Sequence, residues 1–173
     1  MTAPGPWLDD DEQRVWRQWL AVSARLPAAL HRQLQEGTGL SLPDFDVLVR
    51  LTDTLPDADA PTVRDAGGAA TADGTSAARL RVGDLAEALQ WERSRLSHHL
   101  RRMEGRGLVA REECADDGRG AFVVLTPAGR AAIEAAAPDH VRLVRSLVFD
   151  ALTPAQVTAL GEVTAAVLAR LDA

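Results

Sequence analysis

Lysine and tyrosine are missing from this chain, and cysteine occurs once, at Cys114. A single cysteine forms no internal disulfide, and no set of His and Cys at metal-ligand spacing surrounds it. Aromatic residues make up only 4% of the sequence, so a core must be built mainly from Leu, Val and Ala. All 19 basic residues are arginine, which fits the codon bias of a GC-rich genome. The consequence is local: arginine grips phosphate and guanine in a bidentate manner that lysine does not match. There is no long apolar run and no secretory leader, so a cytoplasmic protein without membrane contact is expected. No Ser/His/Asp arrangement, phosphate loop or carboxylate pair in apolar surroundings is legible, and His98 and His99 are adjacent, so a regular helix cannot aim both at one metal. An enzyme, a metal site and a cofactor are therefore not expected. The formal net charge of −6 argues against a uniformly basic nucleic-acid binder.

Charge is unevenly placed, however. Residues 93 to 111 hold six arginines and one acid, Glu104, a local balance of +5. This run lies in the stretch Leu80 to Leu125, around which the rest of the chain is organised. Leu85 and Leu89 mark a short helix over Asp84 to Leu89, Gln90-Trp91 makes a brief connection, and a second helix starts near Glu92. In that second helix Leu96, Leu100 and Met103 recur at helical spacing as a buried stripe. Ser94, His98, Arg101, Arg102 and Gly105 fall on the other side. Glycine often sits in a turn of this kind, and its place is taken here by Gln90 and Trp91. Two strand-like runs follow, Leu108 to Glu112 and Ala121 to Leu125, with turn chemistry at Asp116-Asp117-Gly118-Arg119-Gly120 between them. The pattern predicts a helix-turn-helix with a hairpin wing.

These residues resemble the MarR family of bacterial winged-helix transcription regulators. The resemblance is carried by Leu85-Ala86, Ser94-Arg95-Leu96-Ser97, Arg102-Met103-Glu104, Arg106-Gly107-Leu108-Val109, Asp117-Gly118-Arg119 and Leu125-Thr126-Pro127-Ala128-Gly129-Arg130, with Leu42-Pro43-Asp44-Phe45-Asp46-Val47-Leu48 upstream. It covers nearly all of the chain outside residues 55 to 79. It implies a mainly α fold with a small β-wing: a winged helix-turn-helix DNA-binding lobe at 40–126, plus dimerisation helices at 9–36 and 127–173.

In chain order, residues 1–8 read as a mobile tail. Asp9 to Glu12 supply acid to a helix start, and Val15, Trp16, Trp19, Leu20, Leu26, Leu30 and Leu34 give that helix an apolar stripe with Pro27 expected to kink it. Gly37 and Gly39 end it. Ser41 and Asp44 make a weak capping box for the next helix, whose buried side is read as Phe45, Leu48, Val49 and Leu51. Residues 56–79 are dominated by Ala, Gly, Asp, Thr and Pro and bury too little to offset ordering entropy, so a flexible insertion is expected. Leu80-Arg81-Val82 reads as a small strand beside the wing. Thr126-Pro127 caps a long helix expected to bend at Pro138, and Thr153-Pro154-Ala155-Gln156 caps the last, with Val157, Leu160, Thr164, Val167, Leu168 and Leu171 on one side. These end helices carry more apolar surface than a small lobe needs, and the family interlocks two subunits there, so a homodimer is inferred.

The expected function is sequence-specific binding of double-stranded DNA at an inverted-repeat operator. Ser94, Arg95 and His98 are expected at base edges, Ser97, Arg101 and Arg102 at phosphates or the groove wall, and Arg119 at the minor groove or its phosphates. An ion pair between Arg102 and Asp117 is the structural alternative. His99 is read as packing, and Arg93 and Arg106 as solvated charge. The resemblance further implies repression relieved by a small anionic or phenolic effector bound between the dimer helices and the DNA lobe. Two alternatives are a redox-responsive regulator acting through Cys114 and a winged helix used only for protein–protein contact.

Overall fold

A computed structural model describes residues 7–53, 79–113 and 121–173. Arg119, Cys114 and Asp117 lie outside the described residues, as do most of the tail and all of the insertion except Arg79. Helix α1 runs Asp10–Thr38, about 44 Å at 1.5 Å per residue. Its first turn is locked by a reciprocal box. Asp9 Oδ1 accepts from the Glu12 amide at 2.8 Å, and Glu12 returns the bond to the Asp9 amide at 2.9 Å. Pro27 lies within the helix without ending it; Gly39, at φ +69°, does end it. Helix α2, Leu42–Thr52, starts with the corresponding Ser41–Asp44 box.

Strand β1 (Arg79–Arg81) leads into α3 (Val82–Ala88), then α4 (Arg93–Gly105), β2 (Val109–Glu113) and β3 (Ala121–Leu125). The three strands form an antiparallel sheet in the order β1-β3-β2, with Leu80 opposite Val123 and Val109 opposite Leu125. The turn between α3 and α4 dispenses with glycine. Gln90 takes φ +52°, its amide bonds Glu87 O at 3.0 Å, and the Trp91 amide bonds Ala86 O at 2.9 Å. This is a Schellman stop with a glutamine in the left-handed position. The same device ends α4, with Gly107 at φ +72°, its amide on Glu104 O and the Leu108 amide on Met103 O, while the Met103 and Leu108 side chains are both buried.

One core joins these pieces. Leu34 and Leu40 from the α1 end pack with Phe45, Val47, Leu48 and Leu51 of α2, Leu85 of α3, Leu96, Leu100 and Met103 of α4, Val109, Val123 and Leu125 of the sheet, and Ile133 of α5. Val47 is fully buried while Val49 is only partly so, which corrects the sequence reading of α2. The reason is that α2 is enclosed from several sides, by α1, α3, α5 and β3, so its buried face is wider than one narrow stripe.

Helix α5 spans Pro127–Val144 and passes into a π-helical turn, Arg145–Phe149; α6 spans Pro154–Leu171. Thr126 Oγ1 caps α5 through the Gly129 amide at 2.9 Å and itself donates to Gly107 O at 2.6 Å. A Cβ on Gly129 would lie 2.0 Å from Leu108 O, so α5 can meet the wing base this closely only with glycine there. No residue of α6 is buried. Trp16, Trp19 and Leu20 of α1, Leu147 and Phe149 of the π-turn, and Val167 and Leu168 of α6 all stand exposed. Among the described residues no single helix is long and apolar enough to cross a membrane.

Candidate nucleic-acid interface

Helix α4 has one buried and one open face. Leu96, His99, Leu100 and Met103 point inward, while Ser94, Arg95, His98, Arg101 and Arg102 are exposed and Ser97 is half-buried. The 3.6-residue period thus brings together six of the seven residues expected from sequence on a single helix. The seventh, Arg119, lies outside the described residues. Glu92, the N-cap of α4, makes no side-chain capping bond. At the wing side the Arg111 guanidinium donates to the Ser97 carbonyl at 2.8 Å, tying β2 to the middle of α4.

A buried polar cluster fixes the same helix from behind. Asp44 is only 4% exposed. Its Oδ2 accepts from the Ser41 amide and from Arg106 Nη1, both at 2.8 Å, and its Oδ1 lies 3.0 Å from His99 Nε2. That last approach is close but falls outside aligned hydrogen-bond geometry. Arg106 Nη2 continues to the Gly39 carbonyl at 2.9 Å. One carboxylate thereby joins the end of α1, the start of α2 and two points of α4. Burial by itself would raise the Asp44 carboxyl, but the close His99 ring together with the hydrogen bonds from Ser41 and Arg106 overrides it and holds the group well below the usual carboxylate range.

Two sequence readings change here. Arg106 is not simple solvated charge: both terminal nitrogens are engaged, one on a buried carboxylate. His99 does more than pack, because its Nδ1 meets Arg102 Nη2 at 2.9 Å. Asp44 had shown only its capping role. The sequence clue to the rest was an acid at a box position that also faces inward, which requires a cationic partner. Trp91, read as part of a connection, carries the Arg95 guanidinium 4.6 Å above its ring and meets His99 edge-on at 5.4 Å. Around these groups lies a cavity of about 350 Å³ lined by His31, Ser41, Pro43, Trp91, Arg95, His98, His99 and Arg102, with no acid among them.

Comparison with known proteins agrees with this geometry. The family model described as "MarR family" matches residues 70–120. The structure of Sco3205, a MarR family transcriptional regulator from Streptomyces coelicolor in complex with DNA, is 36% identical, with a TM-score of 0.78 over 96% of this chain and 91% of that one. AbsC, another MarR family transcriptional regulator from Streptomyces coelicolor, is 35% identical, with a TM-score of 0.78 over 97% of this chain and 99% of that one. Bordetella bronchiseptica BpsR, whose DNA binding is regulated by 6-hydroxynicotinic acid, shares the fold at 20% identity, with a TM-score of 0.67 over 89% and 98% of the two chains. No significant match is found among curated proteins. With a winged helix-turn-helix in place and two relatives above one-third identity over nearly the whole chain, the protein belongs to the MarR family of transcriptional regulators.

Proposed function

We propose that the protein is a homodimeric, sequence-specific binder of double-stranded DNA, acting as a repressor that a small-molecule effector releases. One observation carries the DNA reading: the exposed side of α4 gathers Ser94, Arg95, His98, Arg101 and Arg102 while its opposite side is buried in the core. A helix presented in this way fits the major groove, where guanidinium and imidazole reach base edges and phosphates. The acidic net charge is no obstacle, because the field of the α4 arginines acts within about one Debye length.

The exposed apolar side chains of α1, the π-turn and α6 support dimerisation through both ends of the chain. Two-fold symmetry then gives two α4 helices and an inverted repeat with half-site centres about 10 base pairs apart. The acid-free cavity between the α1–α2 corner and α4 supports a small anionic or phenolic effector. Its lining includes Arg95, His98 and Arg102, so an occupant would compete with DNA for the same side chains.

The test is equilibrium binding of the full chain to duplex DNA over a range of salt. Log affinity should fall steeply and linearly with log salt. If Arg101 and Arg102 each grip one phosphate, replacing either by alanine should lessen the slope by about one per subunit. A protein that binds no duplex at low salt would instead be an interaction module.

A further inference from the structure

We propose that Trp91 and His99 are a positioning pair that presets two guanidiniums of α4, Arg95 and Arg102, before DNA arrives. The inference rests on α4 being the groove helix. Residues 95, 99 and 102 are spaced by four and three, so they succeed one another along one side of α4, and Trp91 stands just ahead of the helix's N-cap, Glu92. Trp91 is half-buried against the core, and its backbone is pinned by the amide bond to Ala86 O at 2.9 Å. Its ring is thus a fixed platform, and the Arg95 guanidinium lies 4.6 Å above it.

His99 serves Arg102 in another way. A guanidinium only donates, so the 2.9 Å approach of Arg102 Nη2 makes His99 Nδ1 an acceptor without a proton. The ring proton then sits on Nε2, which faces buried Asp44 Oδ1 at 3.0 Å. The negative charge of Asp44, 3.0 Å away though out of line for a hydrogen bond, favours the tautomer that can hold Arg102, and the edge of Trp91 limits rotation of the ring. Both arginines end on solvent-exposed positions with part of their rotamer freedom already removed. A long side chain that is ordered in the free protein loses less on gripping DNA.

The test is a pair of double-mutant cycles read by DNA affinity, with thermal unfolding as a control for folding. His99→Gln keeps a donor near the Nε2 position but offers no acceptor where Nδ1 was; His99→Asn keeps an acceptor near Nδ1 but does not reach Asp44. His99→Gln should weaken binding about fivefold, roughly 1 kcal/mol, in the wild-type background, and less than about twofold beside Arg102→Ala. His99→Asn should recover most of that loss. The salt slope should stay wild-type in His99→Gln, since Arg102 still reaches its phosphate, and fall in Arg102→Ala. Trp91→Leu should likewise weaken binding in the wild-type background but not beside Arg95→Ala.

Equal losses in both backgrounds would make these residues merely structural and overturn the proposal. Tighter binding by His99→Gln would also overturn it, by showing that the imidazole holds Arg102 back. If Arg95→Ala and Arg102→Ala themselves leave affinity unchanged, the reading of the α4 face fails and the proposal with it. A loss on arginine removal without coupling to Trp91 or His99 overturns the proposal alone.

Discussion

Replacing Asp44 by alanine should destabilise the protein by about 2–4 kcal/mol. The substitution removes the acceptor of the Ser41 amide, a capping-box bond worth about 1 kcal/mol. It also strands His99 Nε2 and Arg106 Nη1, which face Asp44 at 3.0 and 2.8 Å. Breaking a buried pair costs about 3–5 kcal/mol when the surviving charge stays buried. The Arg106 side chain is 44% exposed and can rehydrate, so only part of that penalty applies. In a chain of this length 1 kcal/mol moves the midpoint by about 2–4 °C, which predicts a drop of roughly 4–16 °C in Tm at fixed protein concentration and pH 7. Ser41→Ala should cost only the capping share, about 1 kcal/mol. The pH dependence has a definite sign. The carboxyl is held below its ordinary value of 3.8 in the folded chain, so its contribution is full above that value and fades as pH falls through and below it. The gap between wild type and Asp44→Ala should therefore close in strong acid. An Asp44→Ala protein within about 0.5 kcal/mol of wild type at pH 7 would refute the view that this carboxylate is the joint of the DNA lobe.

Gly129→Ala must push against the Leu108 backbone carbonyl at 2.0 Å and should cost about 2–3 kcal/mol in urea titration; a neutral result would mean that α5 can lift off the wing base freely. Leu168→Arg puts charge on the exposed apolar side of α6 and should yield monomers or aggregates by light scattering, whereas an unchanged dimer would move the interface elsewhere. Burial pushes the His140 imidazole, 4.3 Å from the Phe45 ring, below its ordinary value of 6.5. The unfolded chain then takes up a proton first as pH falls, so stability should decline from about pH 7.5 towards pH 5, and His140→Leu should flatten that decline; an identical slope in both proteins would rule His140 out as its source.

What the sequence made legible was local. Ser41, Thr126 and Thr153 each cap a helix where expected, because the partner lies three residues away, and Asp9, read only as charge at the start of α1, proves to be its cap. The inward stripe of α4 and the pairing of β2 with β3 were likewise carried by short periods. The missed parts depend on distant partners. Arg106 and Asp44 are 62 residues apart, and an exposed-looking arginine after a helix gives no sign that it reaches back to an earlier cap. Nothing local requires Gln90 to be left-handed; the Schellman bonds and the burial of Leu85 and Leu96 on either side impose it. Val47 and Val49 could be told apart only once the neighbours of α2 were in place.

Selection of bound fragments from random duplex DNA, run in parallel with wild type, Arg95→Ala and His98→Ala, bears most directly on the claim that the α4 face reads sequence. The wild type should enrich an inverted repeat with half-site centres about 10 base pairs apart, and each variant should lose preference at its own base positions, a change of about 1–3 kcal/mol per base read. No enriched repeat, or the same repeat enriched unaltered by both variants, would contradict it.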